Sequence, residues 1–377
     1  MRKVFFCERQ NSKSDAFVGL PQNYQMQRNL PTSGNNKWAG TSDMMISKRL
    51  PELQLLILCT IGCYIFLEIF VASAALDGLF GFTGVDIIFI SFVLSFFVAI
   101  ISVIAGVGGG VIFTPLMLAF TSVDTLIIRS TGLVVAMFSG LVASGPFMRK
   151  GLADIKLVFL GALPILVGGF VGSMAAVSLS QHLGETGDSI VRIALGVLLA
   201  AIALIFIVGG ASTEYPEHGQ RSKLATKLKL RHMYWEDTLQ KPVKYNVHNV
   251  KIAVILLFAV GFTGGFFGLG GGWAVVPVLN LVMSVPLKVS AATSGVLLAM
   301  GNSAAIWPYI NVGALIGVVA APWMLGQIIG GIVGAHVLSG IKAAFVRKLL
   351  IVMLFLTSLK LLSRGIEGLF NISIPFI

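Results

Sequence analysis

Two glycine-rich motifs are the stretches of this chain best suited to chemistry without a charged side chain. Gly106-Val107-Gly108-Gly109-Gly110 is followed five residues after its last glycine by Pro115 and later by Ser130-Thr131; Gly268-Leu269-Gly270-Gly271-Gly272 is followed at the same spacing by Pro277 and by Thr293-Ser294. Four glycines in five residues interrupt a helix. A proline in the first turns beyond fits a new helix start, where a missing N–H costs least. The N-terminus of such a helix presents free N–H groups and partial positive charge, which suits an anion. The same glycines also suit close approach of helices in a membrane, and the sequence leaves both uses open. Neither motif is the dinucleotide fingerprint, because Val111 and Trp273 occupy its sixth position, and no Gly-Lys-Ser/Thr follows, so no nucleotide is expected.

Hydroxyls, one amide and one cation extend the set. Thr131 and Thr293 stand at equivalent places after the two motifs, beside Ser130 and Ser294; their hydroxyls either donate to an oxyanion or bond back to a carbonyl one turn earlier. Asn302 suits a ligand or a neighbouring helix. Arg129 is the only Lys or Arg between Arg49 and Arg149, placed either to attract an anion or to snorkel to the interface. The candidate substrate-binding residues are thus Gly106, Gly108, Gly109, Gly110, Arg129, Ser130, Thr131, Gly268, Gly270, Gly271, Gly272, Thr293, Ser294 and Asn302. Asn280, Trp273, Trp307 and His336 are weaker candidates.

The acidic residues argue by absence. No Asp or Glu lies between Asp237 and Glu367, and Asp86, Asp124, Asp154, Glu185 and Asp188 all fall at or near the ends of apolar segments. Carboxylates are the usual parts of proton relays inside membranes, so their absence suits an anion better than a cation. Asp124, Asp154 and His182 form no acid/base constellation. Cys59 and Cys63 read as packing residues, and no His/Cys spacing fits zinc. No catalytic residue, metal or cofactor is expected.

The elements that must hold these residues are membrane helices. Of 377 residues 56% are hydrophobic and 11% charged, against roughly 25% charged in a soluble domain. Apolar runs of about 20 residues, each enough to span a bilayer, recur roughly ten times, without the alternation of a β-barrel. The net charge of +11 sits in blocks beside those runs, so it marks topology and attraction to anionic membrane lipids rather than nucleic acid. Residues 1–50 form a polar basic tail, and 51–80 an extra transmembrane helix that this long tail makes a poor signal peptide. A first membrane repeat covers 86–210, a basic loop 211–249, a second repeat 250–364 and a C-terminal tail 365–377. The basic blocks place the N-terminus and the 211–249 loop in the cytoplasm and the Gln181–Asp188 turn outside, if the short runs at 111–121 and 273–284 each count as one pass. Lys360 and Arg364 approach the outer face against this rule.

The two halves repeat each other. Beyond the glycine motifs, Pro164, Gly168 and Gly172 match Pro322, Gly326 and Gly330, with Gly334 extending the series. An odd number of passes per unit sets the copies in opposite directions. The expected fold is all-α: a polytopic membrane helical bundle of two inverted repeats of about five segments each, plus one extra N-terminal helix, with the site near the midplane.

The paired Gly-x-Gly-Gly-Gly-x4-Pro motifs, the threonines after them and the basic central loop resemble the sulfite exporter TauE/SafE family of membrane permeases over about residues 86–364. The resemblance implies a multi-pass inner-membrane permease, not an enzyme, that moves sulfite, organosulfonates or related small sulfur anions, often outward. The family tends to carry a Thr-Ser pair in both halves, whereas the first half here reads Ser130-Thr131-Gly132 with Arg129 beside it. The alternative is a membrane-embedded transferase acting on lipid, which would want an acid/base pair or metal ligands near a membrane face.

Overall fold

The structure, a computed structural model, describes residues 84–105, 108–121, 123–149, 152–208, 231–236, 241–337 and 343–370. The N-terminal tail, the expected helix at 51–80, Gly106, most of the basic loop and residues 371–377 lie outside the described residues. In chain order the elements begin with α1 (Gly84–Ala105), α2 (Gly109–Phe120) and α3 (Thr125–Arg149). The helical stretch Ile155–Val208 follows, interrupted at Gly184 by φ 52°, ψ −129°. Its 54 residues would reach about 80 Å if straight, far beyond a hydrocarbon core of about 30 Å. It therefore counts as two helices, α4 (155–183) and α5 (185–208). Strands β1 (Arg231–Glu236) and β2 (Lys241–Asn246) pair antiparallel, Arg231 against Asn246 and Glu236 against Lys241. Then come α6 (Val250–Phe267), α7 (Gly272–Pro277, passing into π-helical turns over Val278–Val282), α8 (Leu287–Asn311), α9 (Gly317–Val337) and α10 (Ala343–Phe370).

The protein is thus a mostly helical, polytopic bundle, and the β-hairpin is the departure from an all-α expectation. Among the described residues, five helical stretches are long and apolar enough to cross a membrane: Thr125–Val142, Ile155–Leu204, Val250–Phe267, Leu287–Asn311 and Gly317–Gly334. Helix α4 shows why the bundle belongs in lipid. Ile155, Phe159, Leu163, Val167, Val171 and Met174 recur at helical spacing and are exposed, while Leu157, Ala162, Ile165, Gly168, Gly169 and Ala176 face the interior. A large apolar surface with small residues on the inner face is what a lipid solvent selects.

Small residues set the helix pairs. On α4, a methyl on Gly168 would strike Phe258 O of α6 and one on Gly172 would strike Phe262 O; the α6 glycines answer, Gly261 lying against Ile165 O and Gly265 against Gly169 O. Residue numbers rise together along both helices, so α4 and α6 run parallel. Helix α9 lies on α1 in the same way, Gly326 against Phe92 O and Gly330 against Phe96 O. Gly168 with Phe258 and Gly330 with Phe96 make one contact twice, at the interval that also separates Gly108 from Gly270 and Thr131 from Thr293. By contact, the counterpart of Gly168 is therefore Gly330, one turn beyond the Gly326 that the shared Pro164 and Pro322 pair with it in the sequence.

Two ends of the bundle are fixed by hydrogen bonds. At one, Tyr245 Oη of the hairpin donates to Asp154 Oδ2 at 2.8 Å, Asp154 N donates to Thr293 Oγ1 at 3.2 Å, and His248 N donates to Met283 O at 3.1 Å. The short α7 segment thereby returns the chain to the end where α6 began. At the other end, Ser130 Oγ donates to Ala314 O at 2.9 Å and Arg364 Nη1 to Thr121 O at 2.8 Å. Helix α3 runs from this second end to the first and α8 the opposite way, with Gly140 and Gly295 in contact between them. Helices α3 and α8 are therefore antiparallel.

Candidate functional site

The two glycine breaks meet inside the bundle. Helix α6 ends in a left-handed residue, Gly268 (φ 70°), with Leu269 N donating to Gly264 O at 3.1 Å, the closing bond of a Schellman-type cap. Gly268 is required twice over. Its positive φ strains any L side chain, and a methyl there would sit 2.5 Å from Arg129 Cα. From the other break, a methyl on Gly108 would lie 3.9 Å from Gly272 Cα, and one on Gly110 would lie 2.5 Å from Leu269 O. Thr114 Oγ1 crosses between them to donate to Gly268 O at 2.7 Å.

The breaks are not chemically equal. At the first, Gly109 N donates to Ser139 Oγ at 2.9 Å, and the buried Gln327 points Oε1, which has no partner, at Gly109. Gln327 is held by Nε2 bonds of 3.3 Å to Ser95 O and Ser95 Oγ. At the second break the positions corresponding to Ser139 and Gln327 are Gly301 and Ile165. A cavity of about 10 Å³ opens there, lined by Gly271, Gly301, Asn302 and Ile165 among others. That is room for about one water. Asn302, 4% exposed, lines it, and its Nδ2 has no hydrogen-bond partner. The second break thus combines a helix start, an unpaired buried N–H donor and a void. Such a set can hold an oxygen of water or of an anion, since an unsatisfied buried donor costs about 1–3 kcal/mol.

The remaining candidates scatter. Arg129 does not snorkel: its side chain is fully buried, with Nε on Thr125 O at 3.2 Å, Nη1 on Phe266 O at 3.4 Å, Nη2 on Thr125 Oγ1 at 3.0 Å and an ion pair to Asp188 at 3.6 Å. Tyr309 Oη joins it on the closing carbonyls of α6, donating to Gly265 O at 2.9 Å. Cation and hydroxyl together cover the negative end of that helix. Ser130 bonds Ile127 O and Ala314 O, and Ser294 bonds back to Ala291 O at 2.9 Å. Thr293 accepts from Asp154 N at one end of the bundle, while Thr131, buried with an unpartnered hydroxyl, lies toward the other. The antiparallel α3 and α8 separate the two threonines by roughly 20 Å along the helix axes, so they share no site. Asn280 donates Nδ2 to Val285 O at 2.8 Å and shapes the turn before α8. Trp307 is exposed, and Trp273 is partly buried with an unpartnered Nε1. Among the described residues no three His, Cys, Asp or Glu side chains come together to hold a metal. Sequence reasoning missed Ser139, Gln327, Ser95 and Thr114, each a polar residue in a largely apolar helix, the one signal that marks them.

The chain is similar to a protein of Bacillus subtilis named probable membrane transporter protein YunE, at 23% identity over 73% of this chain and 97% of that protein. It is also similar to a probable membrane transporter protein of Haemophilus influenzae, at 26% identity over 74% of this chain and 95% of that one. No solved structure matches it. The sequence model of the sulfite exporter TauE/SafE family matches residues 90–361, which hold both glycine breaks from Gly108 onward, and this chain belongs to that family.

Proposed function

We propose that this membrane transporter carries sulfite, an organosulfonate or a related small sulfur anion, outward across the inner membrane, and that the anion binds where the two helix breaks meet. The observation that carries the reading is the unpartnered Asn302 Nδ2 on a cavity beside Gly271 at the start of α7. Gly271 and the Asn302 side chain hold the anion in this reading, with Ile165 and Gly169 of α4 lining the same cavity. Gly108 and Gly110 pack against Gly272 and Leu269 outside the cavity lining, and Arg129, buried behind Gly268, adds positive potential without contact. The cavity admits a water but not a sulfite-sized ion, so this is a closed state and binding requires the breaks to part.

The same reading takes the chain as two inverted repeats with the meeting point of the breaks at their interface, a plan that supports alternating access. The antiparallel α3 and α8 support it, as do the doubled contacts of Gly168 with Phe258 and Gly330 with Phe96. The end carrying the 211–249 loop is cytoplasmic, because its basic residues follow the positive-inside rule.

Binding of sulfite, sulfate, thiosulfate, sulfoacetate and taurine to the purified protein tests the reading, measured as thermal stabilisation by linkage. A methyl on Gly271 would lie 3.0 Å from Val260 Cγ1 and 3.3 Å from Val275 Cγ2, so Gly271→Ala folds with a small side-chain shift while filling the cavity. Asn302→Leu removes the donor. Both variants are expected to lose the stabilisation given by the best anion and to lose flux in proteoliposomes. Wild-type binding and flux in both would overturn the site.

A further inference from the structure

Three arginines and one carboxylate gather at the end of the bundle opposite the β-hairpin. Asp188 is engaged by Thr125 Oγ1 at 2.5 Å and by Arg129 at 3.6 Å. Arg192 follows one turn later on α5, and the charged groups near enough to act on it are Asp188, Arg364 and Arg129. Helix α10 brings Arg364 alongside, since Gly365 packs against Ile193 and Ser189. Arg364 spends one nitrogen on Thr121 O. Among the described side chains, the other acids of this end do not offset the cations. Asp124 Oδ1 is occupied by the first-turn amides of α3, Leu126 N at 2.7 Å and Ile127 N at 3.4 Å, and Glu185 and Glu367 are exposed. Among the described side chains Asp188 is the one carboxylate acting on Arg192, so these residues carry excess positive charge, and Arg192 Nε is buried with no hydrogen-bond partner.

Like charges brought together and partly buried are costly. Arg129 is committed to helix carbonyls and to Asp188, which leaves Arg192 and Arg364 with unused donors. We propose that Arg192 and Arg364 form a second anion site, a mouth that binds one oxyanion between two guanidinium forks, apart from the meeting helix breaks. Guanidinium groups suit this ligand because their planar N–H pairs match two oxygens of a sulfur or phosphorus oxyanion. A soluble sulfur anion and a lipid phosphate share that chemistry. The mouth does not rest on the central-site reading. Where both hold, it concentrates anions at the end of the path opposite the basic loop.

The test uses the full chain carrying Asn302→Leu, so that the central cavity does not respond. Thermal unfolding is followed in lipid-free detergent against sodium sulfate, with sodium chloride at matched ionic strength, and then in phosphatidylcholine nanodiscs with and without phosphatidylglycerol. Saturable stabilisation is expected, with Arg192→Gln and Arg364→Gln each raising the half-saturating anion at least tenfold and Arg192→Lys by less. Stabilisation by sulfate in detergent assigns a soluble oxyanion; stabilisation by phosphatidylglycerol alone, lost in the same variants, assigns a lipid phosphate. Should Arg192→Gln misfold, the half-buried Arg364→Gln and the charge-preserving Arg192→Lys carry the comparison. No response of the parent to either anion source, or an unchanged response in the arginine variants, overturns the mouth while leaving the central site standing.

Discussion

At the scale of single residues, the glycines and prolines of the two motifs were legible because backbone permissiveness is a property of the residue itself. Their partners were not. Whether Gly109 N meets a serine hydroxyl or an open cavity depends on what α3 or α8 presents across the bundle, Ser139 in one half and Gly301 in the other. Arg129 shows the same limit: a lone cation near a helix start reads as interfacial, yet Phe266 O and Asp188, from distant segments, bury it completely. Removing one member of a buried pair commonly costs about 3–5 kcal/mol, mostly because the other is left uncompensated. Asp188→Asn leaves the fully buried Arg129 guanidinium without a counter-charge, whereas Arg129→Met leaves a carboxylate that is 25% exposed and solvated. Asp188→Asn is therefore expected to lose about 3 kcal/mol of stability and Arg129→Met about 1 kcal/mol, read as thermal unfolding in detergent. The reverse order would mean that the guanidinium's bonds to helix carbonyls outweigh its ion pair.

At the scale of elements, the helices were foreseen from runs of apolar residues, but their pairing came from backbone contact that no hydropathy pattern encodes. A methyl on Gly172 would strike the carbonyl of Phe262, which belongs to a helix backbone and cannot move aside, whereas one on Gly145 meets nothing within 4 Å. Gly172→Ala should then separate α4 from α6 and cost about 1–3 kcal/mol. Gly145→Ala should be neutral or gain up to about 1 kcal/mol through helix propensity. Unfolding temperatures of the two variants check this, and equal values would remove close backbone approach as the force pairing these helices. The β-hairpin is hard to see in the sequence because basic residues dominate 211–249. Its signal is the aromatic and β-branched content of Tyr234, Trp235, Val243 and Tyr245 on either side of residues 237–240. Tyr245, 6% exposed and bonded to Asp154, pins the hairpin to the start of α4.

At the scale of the whole molecule, composition and spacing carried the membrane character and the family, because both are sums over many residues. The small void was not legible, since room for one water depends on residues from four elements, α4, α6, α7 and α8. That void also bears on the driving force. The residues lining it include no charged side chain, and the second half of the membrane region holds no Asp or Glu before Glu367. A site built from amides has nothing to carry a proton and no ligand suited to a coupling cation. A cell interior negative by about 100 mV already favours exit of an anion by about 2.3 kcal/mol per charge, which suffices for uncoupled, electrogenic efflux. In proteoliposomes clamped with valinomycin and a potassium gradient, loss of labelled sulfite is expected to rise as the interior is made more negative and to ignore an imposed pH gradient. Flux that follows the pH gradient and not the voltage would reverse this conclusion and place a titratable carrier in the path.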